Sequence, residues 1–298
     1  MNYRNITVAG SGVLGSQIAF QTAYKGFHVN LYDVSEKALG NARERLTGLK
    51  ENYKEDLGAT QQAVDDALNR ISFYTDLAKA VADTDLVIEA VPEVARIKTG
   101  FYQELGKTAP EKTVFATNSS TLLPSQFAEA TGRPNKFLAL HFANSIWKNN
   151  TAEVMKHPGT DPAVFESVVE FARAIGMVAL PLYKEQPGYI LNSLLVPFLD
   201  SAQMLLLNGV ADVETIDKTW MIATGSPEGP FAILDAVGIA TAYNITLAKA
   251  GDNPEFEKLA SLLKTEYLDK GKLGRATGQG FYSYPNPSFA NLDFLRNQ

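Results

Sequence analysis

Short apolar runs alternate with longer amphipathic stretches along the chain as far as Leu182. This alternation is typical of parallel strands joined by crossover helices, and it predicts an α/β fold with a doubly wound, mostly parallel sheet. The predicted strands are Asn5–Ala9, His28–Tyr32, Asp85–Glu89, Thr113–Ala116, Lys136–Phe142, Ala152–Met155 and Met177–Leu182. The predicted helices between them are Leu14–Tyr24, Ser35–Leu57, Ile97–Lys107 and Pro162–Ile175.

The pattern changes at the polar Pro-Gly segment 183–188, which follows the last predicted strand. Beyond it, strand patterns nearly vanish and helical periodicity dominates. We therefore predict two domains, a sheet domain over residues 1–186 and an all-helical C-terminal domain over residues 187–298. The predicted helices of the second domain are Ile190–Asn208, Val213–Ile222, Ile233–Ala250 and Glu255–Lys270.

Composition excludes several classes of function. The net charge is −6 and no Lys/Arg cluster forms a basic face, which argues against nucleic-acid binding. Without cysteine and with only three histidines, the chain is not expected to bind a metal ion. The longest apolar stretch, Ile190–Leu207, is too polar to span a bilayer, and we expect no signal peptide before the first strand. We expect a soluble, cytoplasmic protein.

A glycine-rich motif joins the first predicted strand to the first helix. Gly10 would permit a tight turn, Gly12 the close approach of a pyrophosphate, and Gly15 the packing of helix on strand. Asp33 ends the next strand 18 residues after Gly15, where an acid binds the ribose hydroxyls of NAD. The order of these features predicts a Rossmann-type domain that binds NAD. The cofactor-binding residues predicted in this way are Gly10, Ser11, Gly12, Val13, Leu14, Gly15 and Asp33.

The residues around Asp33 also indicate which nicotinamide cofactor is used. Its carboxylate would repel the 2′-phosphate of NADP, and the following residues, 34–36, include no arginine to neutralise that phosphate. NAD is therefore favoured over NADP.

A histidine and a glutamate stand in two neighbouring apolar strands. His141 lies at the carboxyl end of its strand, where open α/β sheets bind ligands, and Glu153 lies in the next strand. A lone histidine in such a strand is most often a hydrogen-bonded core residue, and Glu153 is equally well explained as a solvated residue of an edge strand. If the two meet, the carboxylate favours the imidazolium and fixes its tautomer, as a general acid/base for carbonyl–alcohol interconversion requires.

Two further polar residues have apolar neighbours. Ser120 follows a buried strand and is explained by capping of the next turn. Asn192 stands early in an apolar helix, where a buried amide must find partners.

With these residues the chain resembles the 3-hydroxyacyl-CoA dehydrogenase family, which includes short bacterial 3-hydroxybutyryl-CoA dehydrogenases, over essentially its whole length. It is most similar to the side branch of this family that includes a diketoreductase. The resemblance is carried by three blocks, Asn118–Ser125, His141–Asn144 and Asn149–Met155. It implies an NAD-dependent oxidoreductase that interconverts 3-hydroxyacyl and 3-oxoacyl compounds by hydride transfer at C3, with the S alcohol as the reduced product.

The resemblance also implies roles for individual residues. His141 would exchange the hydroxyl proton at C3, Glu153 would orient and charge it, and Ser120 and Asn192 would hold the C3 oxygen. Contacts with the cofactor are implied for four residues, Glu93, Lys98, Ser120 and Asn144. The helical domain would contribute to substrate binding and form the interface of a homodimer.

The chain departs from the family where CoA is concerned. Leu49 and Asp56 occupy the positions at which the family offers a serine and a lysine to the CoA nucleotide. The resemblance therefore also allows a reductase of β-keto or β,δ-diketo esters that does not require CoA, or a sugar-acid enzyme similar to gulonate dehydrogenase. A non-enzymatic NAD-binding protein is a further alternative, against which the joint presence of the four catalytic residues argues.

Overall fold

The computed structural model describes residues 3–291 and 293–296, and its contacts divide the chain into two units. The first unit ends at Ile190 and the second begins at Leu191. The domain boundary predicted after residue 186 falls just before the turn at 187–190 that closes the first unit.

Eight strands form one sheet in the order β3-β2-β1-β4-β5-β6-β7-β8. The first six strands in the chain are parallel, β7 is antiparallel to β6, and β8 is parallel to β7. The prediction of a doubly wound, mostly parallel sheet is therefore confirmed. The strands are β1 (Asn5–Ala9), β2 (His28–Tyr32), β3 (Ile71–Tyr74), β4 (Leu86–Glu89), β5 (Val114–Thr117), β6 (Phe137–Phe142), β7 (Thr151–Met155) and β8 (Val178–Leu182).

Helices cover both faces of this sheet. Apolar side chains alternate along each strand, so that β1 packs Ile6 and Val8 on one face and Ala9 on the other. Helices α1, α2, α3 and α6 pack on the first face, and α4 and α5 pack on the second. These helices are α1 (Val13–Tyr24), α2 (Glu36–Leu57), α3 (Gln61–Asn69), α4 (Leu77–Val81), α5 (Ala95–Thr108) and α6 (Pro162–Ala174).

Between α2 and β4, the sequence analysis missed β3, α3 and α4. β3 has four residues and lies at the edge of the sheet, with Ile71 as its one buried side chain. α4 has only five residues. Elements this short do not show enough of a period to be recognised from the sequence.

The second unit is helical, as predicted. One expected element is wrong, because residues 233–250 were predicted as a single helix and the chain bends by 100° between two helices there. Gly238 lies at the bend with φ +95, a conformation that favours glycine. The helices of this unit are α7 (Leu191–Leu207), α8 (Val213–Thr224), α9 (Pro230–Val237), α10 (Ile239–Lys249) and α11 (Pro254–Glu266).

Two buried carboxylates organise the second unit. Asp217 accepts hydrogen bonds from the backbone N–H groups of Phe231 and Ala232, at the start of α9. Asp235 accepts from the backbone N–H groups of Phe281 and Tyr282. Burial raises the pKa of both aspartates, and the N–H donors oppose that effect.

Among the described residues, no single helix is both long and apolar enough to cross a membrane. The bent pair α9 and α10 reaches the required length and apolarity only when its two helices are counted together.

Candidate active site

The predicted site residues of the first unit gather at the carboxyl edge of the parallel strands. The glycine motif follows β1, Asp33 follows β2 and Glu93 follows β4. Ser120 follows β5, and His141 is the next-to-last residue of β6. Parallel strands end at a common edge, which is where open α/β sheets bind their ligands.

The glycine loop leaves room for a diphosphate at the start of α1. Gly10 has φ +102, and a Cβ atom there would lie 2.4 Å from the carbonyl oxygen of Ala90. A Cβ atom on Gly15 would lie 1.9 Å from the carbonyl oxygen of Gly10, so α1 packs directly on the loop. Gly12 faces open space, and no side chain caps the helix that begins at Val13. Free backbone N–H groups at a helix start are suited to bind phosphate oxygens.

A cleft of about 630 Å³ continues from this loop. It is lined by Gly12 and Asp33 and by apolar groups that include Val91 and Phe101. Asp33 Oδ2 accepts hydrogen bonds from the N–H and the hydroxyl of Ser11, at 2.8 and 2.7 Å. Asp33 Oδ1 accepts from Val34 N–H and keeps one lone pair for another donor. Loop, helix start and cleft together fit NAD.

Arg45 is a contact of the glycine loop that sequence reasoning missed. Its guanidinium reaches from α2 and donates to the carbonyl oxygen of Ser11 at 2.6 Å. Ser16 donates to the same oxygen at 3.0 Å. Because α2 carries several basic residues, the sequence alone does not single out the one that faces the loop.

A buried ionic network lies beneath the cleft. Lys98 is 1 % exposed, and its Nζ lies 2.6 Å from Glu89 Oε1 and 3.2 Å from Glu93 Oε2. The other oxygen of Glu89 accepts from the hydroxyls of Tyr102 and Thr117, at 2.8 and 2.7 Å. Burial, and then the charge of Glu89, raises the pKa of Tyr102, which therefore stays a donor. Sequence analysis missed Glu89, although an acid at the end of an otherwise apolar strand is a signal of this kind.

Glu93 holds the turn that carries Ser120. Its Oε1 accepts from the backbone N–H groups of Ser120 and Thr121, at 3.1 and 3.0 Å, and from the hydroxyls of Ser119 and Thr121. Partial burial alone would raise the pKa of Glu93. The hydrogen bonds from Ser119 and Thr121, together with the charge of Lys98, outweigh burial and lower that pKa to about 2.

His141 lies between an acid and a hydroxyl. Its Nδ1 is 3.1 Å from Glu153 Oε2, and its Nε2 is 3.0 Å from Ser120 Oγ. Both members of the acid–imidazole pair are buried, at 7 % exposure for His141 and 4 % for Glu153. An ionised carboxylate can only accept, so Nδ1 carries a proton and Nε2 faces the hydroxyl. This arrangement leaves Nε2 as the atom that can exchange a proton with a ligand.

The end of the first unit closes over this pair. The Tyr189 ring stacks on the His141 imidazole with 4.5 Å between ring centroids and 23° between planes. The Tyr189 hydroxyl donates to the carbonyl oxygen of Ser119 at 2.6 Å, and Ile190 N–H donates to Glu153 Oε1 at 2.8 Å. Sequence analysis missed Tyr189, because an aromatic residue after a Pro-Gly pair carries no signal of a contact so distant in the chain.

Two further predicted residues lie in the loop after β6 and at the start of the second unit. Asn144 is exposed in the loop after β6, and its carbonyl oxygen accepts from Asn149 Nδ2. Asn192 is in the first turn of α7, in the second unit, and is half-buried. The Asn192 amide is therefore partly open to solvent. The catalytic role of Asn192 and the cofactor contact of Asn144 stay predictions.

Comparison with known proteins assigns both parts of the chain to one family. Residues 5–186 match the family model described as the 3-hydroxyacyl-CoA dehydrogenase NAD-binding domain. Residues 188–284 match the model described as the 3-hydroxyacyl-CoA dehydrogenase C-terminal domain.

Individual relatives agree with this assignment. The mitochondrial hydroxyacyl-coenzyme A dehydrogenase of Homo sapiens is 36 % identical over 289 residues, covering 94 % of this chain and 91 % of the relative. A probable 3-hydroxybutyryl-CoA dehydrogenase of Bacillus subtilis (strain 168) is 32 % identical, covering 95 % of this chain and 98 % of the relative. A solved diketoreductase structure, described as showing substrate-directed dual catalysis of dicarbonyl compounds, is 57 % identical with a TM-score of 0.92. It covers 95 % of this chain and 100 % of its own.

Proposed function

The chain belongs to the 3-hydroxyacyl-CoA dehydrogenase family of NAD-dependent oxidoreductases, and on this premise we propose that it interconverts short 3-hydroxyacyl and 3-oxoacyl compounds. The observation that carries the proposal is the contact of Ser120 with the buried pair His141 and Glu153, at the same carboxyl edge of the sheet as the cleft that fits NAD. A buried histidine that served only the core would not need both an acid and a polar turn directed at its two ring nitrogens.

The proposed chemistry divides between cofactor and protein. When bound, NAD would supply the hydride acceptor for C3 of the alcohol, and NADH would supply the hydride donor for C3 of the ketone. In the reductive direction, the N–H at Nε2 of His141 gives its proton to the substrate oxygen while the hydride adds to the carbon. In the oxidative direction, neutral Nε2 takes the hydroxyl proton. Glu153 stabilises the protonated imidazole in both cases, because an adjacent carboxylate favours the charged form.

Other residues are proposed to bind the substrate oxygen and the cofactor. The Ser120 hydroxyl, 3.0 Å from Nε2 of His141, is suited to hold the substrate oxygen beside the imidazole. Asn192 is proposed as the second residue that binds this oxygen. Glu93 lies in the loop after β4 and Lys98 lies in α5, and both are proposed to meet the cofactor, as is Asn144.

We further propose that the CoA nucleotide contributes little to binding. Asp56, which stands where the family has a lysine, accepts hydrogen bonds from Trp147 Nε1 at 2.7 Å and Lys148 Nζ at 2.9 Å. Leu49, at the other matching position, is 7 % exposed and packs in the core. Neither side chain offers a donor to a phosphate.

Two of the basic residues of α2 are also engaged in ion pairs. Lys50 pairs with Asp65 of α3, and Lys54 pairs with Glu51 at 2.7 Å. The first of these pairs joins α2 to α3, and the second lies within α2. Paired cations present a weak field to a distant phosphate in water.

A comparison of two substrates tests this proposal. Initial rates of NADH oxidation are measured with acetoacetyl-CoA and with ethyl acetoacetate, and chiral chromatography identifies the alcohol formed. We expect turnover of both, the S alcohol, and KM values within about tenfold of each other, a difference of about 1.4 kcal/mol. No NADH oxidation with either compound would contradict the proposed function. A KM hundreds of times lower for acetoacetyl-CoA, rising steeply with salt, would contradict only the part about CoA.

Reversing the charge of Asp56 tests the part of the proposal about CoA separately. Asp56→Lys should lower the KM for acetoacetyl-CoA and make it salt-dependent, while the KM for ethyl acetoacetate stays the same. Glu55→Lys is the matched control, because it makes the same charge change at the adjacent exposed position of α2, which points to a different face of the helix.

The diketoreductase neighbour favours a second candidate, a reductase of β,δ-dicarbonyl esters. Both candidates use the same site and differ in substrate, so a β,δ-diketo ester added to the same assay distinguishes them. A higher kcat/KM for the diketo ester than for ethyl acetoacetate would support the second candidate.

We also propose that the enzyme is a cytoplasmic homodimer that associates through residues 187–298. The support is a set of apolar side chains exposed on the second unit, which includes Leu194, Val210 and Ile222 at 62–69 % exposure. Sedimentation velocity at micromolar concentration tests the dimer, and a single monomeric species would contradict it.

A further inference from the structure

An unusual backbone conformation precedes α7. Gly188 and Tyr189 have φ +79 and +56, and Tyr189 and Ser145 are the non-glycine residues with positive φ in the described part of the chain. An aromatic side chain at positive φ is an uncommon and strained conformation. Such strain persists only where the surrounding contacts hold the residue in place, and Tyr189 is 1 % exposed.

The Tyr189 ring restricts rotation of the catalytic imidazole. Its plane is tilted by 23° from that of His141, with 4.5 Å between ring centroids. The χ2 torsion of histidine is otherwise broad. Rotation about χ2 would turn an edge of the imidazole into the tyrosine ring, so the stacked ring keeps Nδ1 directed at Glu153 and Nε2 at Ser120.

The same residue fixes the other members of the site. The Tyr189 hydroxyl donates to the carbonyl oxygen of Ser119, the residue immediately before Ser120. Burial raises the pKa of Tyr189, so the phenol stays protonated and keeps this bond. The next N–H along the chain, that of Ile190, donates to Glu153 Oε1 at 2.8 Å. Two consecutive residues therefore contact His141, the turn that holds Ser120, and Glu153.

We propose that Tyr189 is a positioning residue that sets the imidazole plane of His141 and the turn of Ser120 together, so that the hydroxyl and Nε2 face the same substrate oxygen. The kinetic consequence of this inference rests on the proposed function, whereas its geometric part does not. It assigns a role to the segment between the last strand and α7, whose backbone carries the strain.

A spectroscopic measurement tests the geometric part without cofactor or substrate. With three histidines in the chain, the imidazole C–H and N resonances of the free protein are few, and loss of signals in His141→Asn assigns those of His141. We expect His141 ring protons to be shifted upfield by the stacked ring in the wild type and in Tyr189→Phe. That shift should be lost in Tyr189→Leu, and unchanged His141 signals in the leucine variant would overturn the inference.

Steady-state kinetics tests the functional part. A misplacement of about 1 Å can cost about 10²-fold in rate, so Tyr189→Leu should lower kcat by about that factor. The Kd for NADH, measured by fluorescence, should stay within about twofold of the wild-type value, since the contacts described for the side chain are with His141 and Ser119. Tyr189→Phe keeps the ring and loses only the hydrogen bond to Ser119, so it should recover most of kcat. Tyr183→Leu, an exposed tyrosine of the same segment, is the control and should retain wild-type kinetics.

The outcomes separate the two proposals. Wild-type kcat in Tyr189→Leu would overturn the positioning role, provided that His141→Asn is inactive. If His141→Asn keeps its activity, the proposed function fails, and the ring-proton shifts still decide whether Tyr189 holds the imidazole. If the leucine variant does not fold, Tyr189→Met, which is unbranched and lacks a ring, replaces it with the same expected results.

Discussion

His141 and Glu153 face each other directly across the antiparallel strands β6 and β7, with 3.1 Å between Nδ1 and Oε2. Opposite residues on an antiparallel pair point to the same face of the sheet and lie close enough for their side chains to interact. A register slip of one residue would move one of the two to the other face. The register of β6 and β7 therefore creates the acid–imidazole pair.

Replacing the acid of this pair should remove the charge and keep the shape. In Glu153→Gln the amide oxygen can still accept from Nδ1, but it no longer stabilises the imidazolium. We expect kcat for reduction to fall about tenfold or more. The measurement is kcat of the variant and the wild type under identical NADH, with Glu166→Gln on the exposed face of α6 as the control. An unchanged kcat in Glu153→Gln would contradict the role of Glu153.

The carboxylate of Asp33 should make the enzyme specific for NAD. A 2′-phosphate would be placed against this acid with no arginine among the adjacent residues 34–36, and such a like-charge contact costs several kcal/mol. We expect kcat/KM with NADH to exceed that with NADPH by at least about a hundredfold. The double substitution Asp33→Ser and Val34→Arg should lower the ratio of kcat/KM with NADH to kcat/KM with NADPH. Equal use of both cofactors by the wild type would rule out a role of Asp33 in cofactor choice.

The buried ion pair of Lys98 and Glu89 should contribute to the stability of the fold. Lys98→Met would leave Glu89, which is fully buried, without its cationic partner, so we expect a loss of about 3 kcal/mol in the free energy of unfolding. Glu89→Gln added to Lys98→Met should restore part of this loss, since a neutral amide is easier to bury. Urea denaturation of the wild type and of the single and double variants measures the coupling. If the two substitutions changed the free energy of unfolding additively, the coupling between Lys98 and Glu89 would be contradicted.

Glu93 should make stability depend on acid pH. Its pKa in the folded protein is about 2, below its ordinary value of 4.5, so its stabilisation is present above pH 4.5 and is lost as the pH falls toward 2. Because its side chain is 38 % exposed and solvent screens the interaction, we expect a contribution of about 1 kcal/mol. Glu93→Gln should lower the free energy of unfolding at pH 6, and the difference from wild type should shrink below pH 4.5. A difference that stays constant with pH would contradict this prediction.

Much of the first unit could be predicted from the sequence, because its elements are long or carry specific residue chemistry. The β1–loop–α1 motif is recognisable from its three glycines. In the structure, Gly10 and Gly15 lie too close to neighbouring backbone for a side chain, whereas Gly12 faces open space that a ligand can occupy. The four-residue strand Ile71–Tyr74 was missed because it is too short to show a period. The break at Gly238 was missed because apolar periodicity continues across the bend.

The candidate site was only partly predictable for a different reason. His141 and Glu153 are 12 residues apart, and nothing in the sequence gives the register in which their strands pair. The contacts of Arg45 and Tyr189 join segments that are distant in the chain, so packing of the whole sheet domain decides them. Residue types are visible in the sequence, whereas contacts between distant segments are not.

The proton-transfer role of His141 is tested most directly by kcat and NADH affinity of His141→Asn, measured on the same preparation. We expect the Kd for NADH to stay unchanged and kcat with ethyl acetoacetate to fall by about 10²–10⁴-fold, the usual contribution of a positioned proton donor. His28→Asn, an exposed histidine at the start of β2, should behave as the wild type. Near-normal kcat in His141→Asn would contradict the account and leave His141 as a hydrogen-bonded residue of the core.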